Sequence, residues 1–233
     1  MPLMTIDPPT VPGKANPRDA HIPPLLRLGF RPFYLLAAVF AAISIPLWVA
    51  AYGGVQIGRH THLLWHVHEM VFGFAVAVVI GFLFTAGRNW TGLWTPRGWH
   101  LGLLAALWVA GRVAMFVAEP VVAAIVDAAF IPFAAWPLFR VLYRAGNKKN
   151  MVLVGLLAIL ASANITYHAA VLDLIPVSPL APLHAGILLI VLIESILGGR
   201  VIPGFTRNAV KGSDPVVHER RDKVCMALTA SAS

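Results

Sequence analysis

The residues best suited to chemistry are the histidines of one short segment, residues 59–70, which reads RHTHLLWHVHEM. Four of the nine histidines of the chain lie there, at His60, His62, His66 and His68. Neutral imidazole is a good ligand for iron and copper, and a neighbouring carboxylate can fix its tautomer. A single histidine would be read as a core or interface residue, but this clustering favours a metal site.

The spacing of these residues predicts how they are oriented if the segment is helical. At about 100° per residue, His66 and Glu69 share a stripe, whereas His68 points about 200° away from His66. The stripe continues through small residues, beginning with Gly73, and small residues let another backbone or a flat cofactor come close. The pattern predicts His66 as a metal ligand, with Glu69 as the carboxylate that orients it.

The composition indicates which elements position these residues. Hydrophobic residues make up 58% of the 233-residue chain and charged residues 12%, with a mean hydropathy of +0.76. Soluble domains carry about 25% charged residues, so the chain is predicted to lie in a bilayer, where a spanning helix needs about 20 apolar residues. Six runs qualify: Phe33–Tyr52, Leu63–Ala86, Leu101–Ala118, Val121–Phe139, Met151–Leu172 and Leu183–Gly199.

Basic residues fall almost entirely in alternate connections between these runs. Positive loops stay in the cytoplasm, so both termini are predicted to be cytoplasmic. The same asymmetry explains the net charge of +8 without nucleic-acid binding. We therefore predict an all-α polytopic membrane protein with six transmembrane helices over residues 33–199. A cytoplasmic proline-rich segment is expected over 1–32, and a cytoplasmic polar tail, disordered at its end, over 200–233.

Depth along the helices brings further residues to the level of the histidine segment. His168 and His184, near the outer ends of the fifth and sixth runs, lie with His66 and Glu69 within about 2–9 Å of the outer boundary. The single cysteine, Cys225, excludes an internal disulfide, a cysteine-based metal site and the covalent attachment of a c-type haem. The sequence therefore predicts a metal centre in the outer third of the membrane, built from imidazole and carboxylate groups.

Three further charged residues lie inside the apolar runs. Arg112 and Asp127 each lie about 9 Å below the outer boundary, on either side of a tight hairpin. We predict that they pair, because an unpaired charge inside a membrane is costly. Alternatively, Arg112 binds a haem propionate. Glu194, near the middle of the sixth run, needs a partner or a proton, either as a packing residue or in a proton relay.

Several separate strings of the sequence resemble the NnrS family. They are LGFRPF at 28–33, WHVHEMVFGF at 65–74, NWTG at 89–92, GGRVIP at 198–203 and TRN at 206–208. The resemblance runs from about Leu26 to Asn208. Members of that family are bacterial polytopic membrane proteins that contain haem and copper and are linked to nitric oxide metabolism and nitrosative stress. They are about twice as long, so the resemblance implies that this chain is about half of such a protein.

The resemblance implies a bacterial inner-membrane protein that binds haem b non-covalently and copper, with a role in denitrification or the response to nitric oxide. The site residues come from depth and periodicity and not from the resemblance. The candidate cofactor-binding residues are His66, His168, His184, Glu69 and Arg112, and the candidate metal ligands are His60, His62, His66 and His68. Of the latter, His60, His62 and His68 are expected to form a more exposed copper site. The implied partners are the lipid bilayer, a diatomic gas such as nitric oxide, and either a homo-oligomer or a second half-protein.

Two other functions remain open at the level of sequence. A proton-coupled transporter would use Glu194, Asp127 and Arg112 as a polar path, and a half-length subunit would have no activity of its own. Whether the chain is an enzyme also stays open, because the sequence indicates no substrate or reaction. Substitution distinguishes the metal protein from the transporter. Activity would depend on the outer histidines in a metal protein and on Glu194 in a transporter.

Overall fold

The computed structural model describes residues 21–55, 57, 62–210, 212, 224 and 228, and its architecture is a bundle of long helices. Six of them are long and apolar enough to cross a membrane. They are α1 (Phe30–Tyr52), α2 (Leu63–Thr91), α3 (Trp99–Val117), α4 (Pro120–Arg144), α5 (Met151–Val171) and α6 (Leu180–Ala209). No strand occurs in the described part of the chain. The prediction of an all-α, six-span protein is therefore confirmed.

The last helix runs further than its apolar pattern indicates. We expect the sixth span to end at Gly199, but α6 continues to Ala209 and contains Pro203 within its length. The intrahelical hydrogen bonds of a helix do not depend on lipid, so a polar segment can extend an apolar one without a break. The remainder of the polar tail lies outside the described residues, apart from Val210 and three isolated positions.

The arrangement of the helices places α2 at the centre of the bundle. α3, α4, α5 and α6 contact one another in sequence order, and α2 contacts α1, α3, α4 and α6. In α2, 67% of the most apolar stretch is buried inside the protein, compared with 17% in α1. Side chains on α2 therefore contact several other helices, so a site inside the bundle is expected to include residues of α2.

A π-helical segment, Glu69–Ala75, interrupts α2 immediately after its histidines. Helical residues Leu63–His68 precede it and Val76–Thr91 follow it. Trp108 of α3 donates its indole N–H to the carbonyl of Gly73 within this segment, at 3.1 Å. Single turns of π-helix are rare and occur frequently at functional sites, so this local distortion indicates that the histidine-bearing part of α2 belongs to a functional site.

The orientation of the bundle in the membrane stays a prediction, and the connection between α4 and α5 can test it. In a protein with Cys225 replaced by serine, Lys148→Cys should react with a membrane-impermeant maleimide only after the cells are opened, because this basic loop is predicted to be cytoplasmic. Ser178→Cys, in the exposed connection between α5 and α6, serves as the matched control and should react in intact cells. Labelling of Lys148→Cys in intact cells would show that the orientation is reversed.

Candidate metal centre

Six polar side chains from four helices meet inside the bundle, and we call them the polar cluster. They are His68 and Glu69 of α2, Arg112 of α3, Asp127 of α4, and Asn164 and His168 of α5. All are buried, and the exposed fraction is 0% for both His68 and Glu69. Buried polar groups are tolerated when they bond to one another, so their contacts decide what the cluster can do.

Asp127 is the hub of the polar cluster. Its Oδ1 forms an ion pair with Nη2 of Arg112. Its Oδ2 accepts hydrogen bonds from Nδ2 of Asn164, at 2.8 Å, and from Nε2 of His168, at 2.9 Å. The same oxygen lies 3.4 Å from Nε2 of His68. The predicted pairing of Arg112 with Asp127 is therefore confirmed. The Asp127 carboxylate also contacts side chains of Asn164, His168 and His68, which the pairing did not predict.

Glu69 forms the second half of the network. Its Oε1 accepts from Nη1 of Arg112 at 2.8 Å and from Nδ1 of His68 at 3.0 Å. Gly73 makes room for this arrangement, because a Cβ at that position would lie 2.5 Å from Nη1 of Arg112. Both Nη atoms of the Arg112 guanidinium are therefore held by carboxylates of the protein itself. The alternative role of Arg112 at a haem propionate stays a prediction.

Both ring nitrogens of His68 contact oxygen atoms of the protein. Nδ1 faces the Glu69 carboxylate at 3.0 Å, and Nε2 faces the carbonyl oxygen of Asn164 at 2.9 Å. Asn164 presents that oxygen because its amide nitrogen donates to Asp127. Polar contacts at both nitrogens therefore hold the His68 ring between α2 and α5.

The same atoms converge as a ligand set. One ligand atom each from His68, Asp127 and His168 lie within 4.8 Å of one another, and all three residues are buried. The donor set, two imidazole nitrogens and a carboxylate oxygen, is one that first-row transition metals accept. Glu69 Oε2 and Arg112 Nε are buried without a hydrogen-bond partner. The protein groups thus do not fully satisfy the cluster by themselves.

Aromatic rings close the centre on the side of α2 and α5. Tyr167 stacks on the His68 ring with centroids 4.5 Å apart, and Phe72 lies against it at 5.2 Å. Tyr167 and Phe72 are almost completely buried. These contacts fix the plane of the imidazole and exclude water, so that charges within the centre act at low dielectric.

His66, the leading candidate from the sequence, lies elsewhere. Its ring stacks on Trp48 of α1 with centroids 4.0 Å apart, and its Nδ1 is buried without a hydrogen-bond partner. It borders a groove of about 320 Å³ lined by His66, Val67, Met70, Val71, Ala75, Ile187, Ile190 and Val191. The predicted partnership of His66 with Glu69 is wrong, because packing turns Glu69 towards Arg112 and His68. The opposite orientations predicted for His66 and His68 are confirmed.

The small residues below His66 also have a different role from the predicted one. Arg112 occupies the space beside Gly73, and a Cβ at Gly81 would lie 3.0 Å from Phe33 of α1. The gap expected for a planar group is therefore filled by a side chain and a neighbouring helix. These small residues instead let Arg112 and helix α1 approach α2 closely. Close approach of another backbone is the second role that the sequence predicts for them.

The other candidates are distributed around the bundle. His62 is exposed and caps α2 by accepting from the backbone N–H of Trp65 at 3.4 Å. His184 is exposed on α6, and His60 lies outside the described residues. The expectation that His68 belongs to an exposed copper site is wrong, since the His68 side chain is completely buried and contacts Asp127 of α4 and Tyr167 of α5. Of the predicted residues, the fold joins His68, Glu69, Arg112 and His168.

Sequence reasoning did not assign Asp127 or Asn164 to the metal centre. Asp127 was predicted at the right depth, but only as a partner for Arg112. Asn164 lies four residues before His168 on the same helical face, and this i, i+4 spacing was the available signal. The sequence does not show that either residue faces α2, because their contacts with His68 depend on how α2, α4 and α5 pack together.

Comparison with known proteins provides the identification. The sequence matches the family model described as NnrS protein over residues 24–233. No curated protein and no solved structure in the comparisons matches the chain. The family match covers nearly all of the sequence and includes every residue of the polar cluster. The chain therefore belongs to the NnrS family.

Proposed function

We propose that this multi-pass membrane protein binds copper in a bacterial inner membrane and acts in nitric oxide metabolism or the response to nitrosative stress. The supporting observation is the buried convergence of His68, His168 and Asp127 on one point. Membership of the NnrS family supports the same assignment. The polar cluster lies on the central helix and next to a π-helical segment, where a functional site is expected.

The charges of the polar cluster favour a monovalent metal ion. With neutral imidazoles, the carboxylates of Glu69 and Asp127 exceed the single guanidinium of Arg112 by one negative charge. A cuprous ion supplies one positive charge, which makes the centre neutral. A divalent ion would add a second charge to a buried site, where an uncompensated charge costs several kcal/mol, of the order of 3–5. We therefore propose copper(I) as the resident form.

The residues of the cluster divide into ligands and supports. His68 and His168 would bind through Nε2, and Asp127 through Oδ2, since these are the atoms that converge. Glu69 would keep its bond to Nδ1 of His68, which holds that imidazole in the tautomer with Nε2 free. Arg112 would pair with both carboxylates and fix their positions. When bound, copper supplies a redox-active centre able to bind a diatomic gas such as nitric oxide.

The residues fit haem less well than copper. His66 offers one imidazole beside an apolar groove, but its predicted partners do not face it: His168 belongs to the polar cluster and His184 is exposed on α6. The groove thus supplies one imidazole for haem. Haem remains part of the proposal on the family relationship alone.

The transport alternative receives less support from the geometry. Its proposed path joins Glu194 to Arg112 and Asp127, but Glu194 is exposed on α6 whereas the other two residues are buried in the cluster. Nothing among the described side chains connects these positions. Proton transfer through Glu194 would have to follow a separate route.

Metal analysis of the purified full-length chain tests the proposal. We expect one equivalent of copper per chain after anaerobic reconstitution with copper(I), and weak binding of zinc(II) under the same conditions. Reduced-minus-oxidised spectra before and after addition of nitric oxide would report haem through its Soret band and gas binding at either metal. A folded protein that remains free of metal after reconstitution would refute the copper assignment, and an absent Soret band would remove haem.

A further inference from the structure

The connection between α2 and α3 brings two arginines onto one indole ring. The guanidinium carbon of Arg88, in the last turn of α2, lies 3.5 Å from the ring centroid of Trp94, and that of Arg97 lies 4.0 Å from it. The two guanidinium carbons are therefore no more than about 7.5 Å apart, the sum of these distances. Two positive charges this close repel each other, so the contacts with the ring hold an arrangement that an anion would stabilise.

The backbone of this connection turns back on α2 and fixes the position of Trp94. α2 ends at Gly92, whose φ of +69° gives the left-handed conformation that stops the helix. Thr95 is buried, and its Oγ1 donates to the carbonyl of Phe84 in α2 at 2.8 Å. Trp94 is thereby anchored beside the end of α2, although 44% of its surface is accessible. The arginine pair is thus a built feature at the surface of the fold.

The arginine pair lies at the level where lipid head groups are expected. Two helices that are apolar enough to span a membrane, α2 and α3, meet at this connection. Phosphates of a bilayer lie beyond the ends of spanning helices, where tryptophan is also enriched. α3 begins with the exposed Trp99 and presents the exposed Leu103 one turn further along. An anion at the arginine pair that also carries acyl chains could therefore place those chains on α3.

We propose that Arg88, Trp94 and Arg97 bind the phosphate of an anionic phospholipid, whose acyl chains pack against Trp99 and Leu103 of α3. Arginine binds phosphate through two parallel N–H groups, which puts the phosphorus about 4 Å from the guanidinium carbon. One phosphate can therefore contact both arginines at the separation that the indole imposes. None of these residues belongs to the polar cluster, so the proposal is independent of the copper assignment.

Further charges favour an anionic lipid over a zwitterionic one. The N–H of Gly98 donates to the carbonyl of Leu26 at 2.8 Å, which joins the segment before α1 to this connection. Arg27 and Arg31 thus lie at the same end of the bundle. Between residues 21 and 118 the sequence contains one acidic residue, Glu69, and it belongs to the polar cluster. A choline head group would bring its ammonium towards these arginines, whereas a glycerol head group adds no positive charge.

Lipid titration of the purified full-length chain in detergent tests the proposal, with bound lipid counted by native mass spectrometry. We expect phosphatidylglycerol to bind about tenfold more tightly than phosphatidylcholine. Arg88→Gln and Arg97→Gln should each weaken phosphatidylglycerol binding about fivefold, since one arginine near the head group contributes about this factor. Binding of phosphatidylcholine by the same variants should stay unchanged, which also shows that they are folded. Equal binding of the two lipids by the parent would overturn the proposal.

Inorganic phosphate distinguishes a lipid from a free anion. At a concentration equal to that of phosphatidylglycerol it should not displace the lipid, because it has no acyl chains to pack against α3. Displacement under these conditions would show that the arginine pair selects phosphate alone and would overturn the assignment to a lipid.

Matched variants distinguish a built site from general surface charge. Arg140→Gln and Arg144→Gln each remove an exposed arginine near the end of α4 and should leave phosphatidylglycerol binding unchanged. Trp94→Leu keeps every charge but removes the ring, so it should weaken binding about two- to fivefold, whereas Trp94→Phe should retain it. Equal losses in Arg140→Gln and Arg88→Gln, or full binding in Trp94→Leu, would overturn the site.

Discussion

Alanine in place of His68 or His168 should abolish stoichiometric copper binding. Each substitution removes one of the two imidazoles that converge on Asp127, leaving too few ligands to hold the ion. Glu69→Gln should weaken copper binding by about 10–100-fold, because Glu69 orients His68 rather than binding the metal. Competition with a chromophoric copper(I) chelator measures these affinities on the purified proteins.

The matched control for these variants is His184→Ala, which removes an exposed imidazole from α6. It should retain the copper content of the parent. Folded yield and helix content, measured by size-exclusion chromatography and circular dichroism, separate loss of a ligand from loss of the fold. If folded His68→Ala and His168→Ala proteins retain full copper content, the polar cluster is a structural network and the metal lies elsewhere.

Arg112→Leu should cause the largest loss of stability. It leaves the carboxylates of Glu69 and Asp127 buried without their guanidinium. Removing one partner of a buried ion pair costs about 3–5 kcal/mol, so folded yield and Tm in detergent should both fall. Arg140→Leu is the matched control, since it removes an exposed arginine near the end of α4 and should have little effect.

The exchanged protein, Arg112→Asp with Asp127→Arg, refines this prediction. It restores an opposite-charge pair between α3 and α4 and should recover part of the lost stability. Recovery should be incomplete, because an arginine at 127 cannot replace Asp127 as the acceptor for Asn164 and His168. An Arg112→Leu protein that melts at the temperature of the parent would show that the two carboxylates do not depend on Arg112.

The pattern of apolar residues predicted the helices and the depth of the site, but not its composition. A spanning helix has a fixed rise per residue, so position in the sequence converts directly to depth. Arg112, Asp127 and His168 were therefore assigned to the same level before any contact was known. The choice of His66 over His68 was wrong, because depth is shared by all sides of a helix and does not specify which side faces inward.

The sequence by itself determined six apolar helices and the pairing of Arg112 with Asp127, because these follow from apolar run length and from the cost of a lone charge in lipid. Only the tertiary structure decided the rotation of α2, which turns His68 and Glu69 inward and leaves His66 beside Trp48. That rotation results from simultaneous contacts of α2 with α1, α3, α4 and α6. Such contacts join residues far apart in the chain, and no local spacing encodes them.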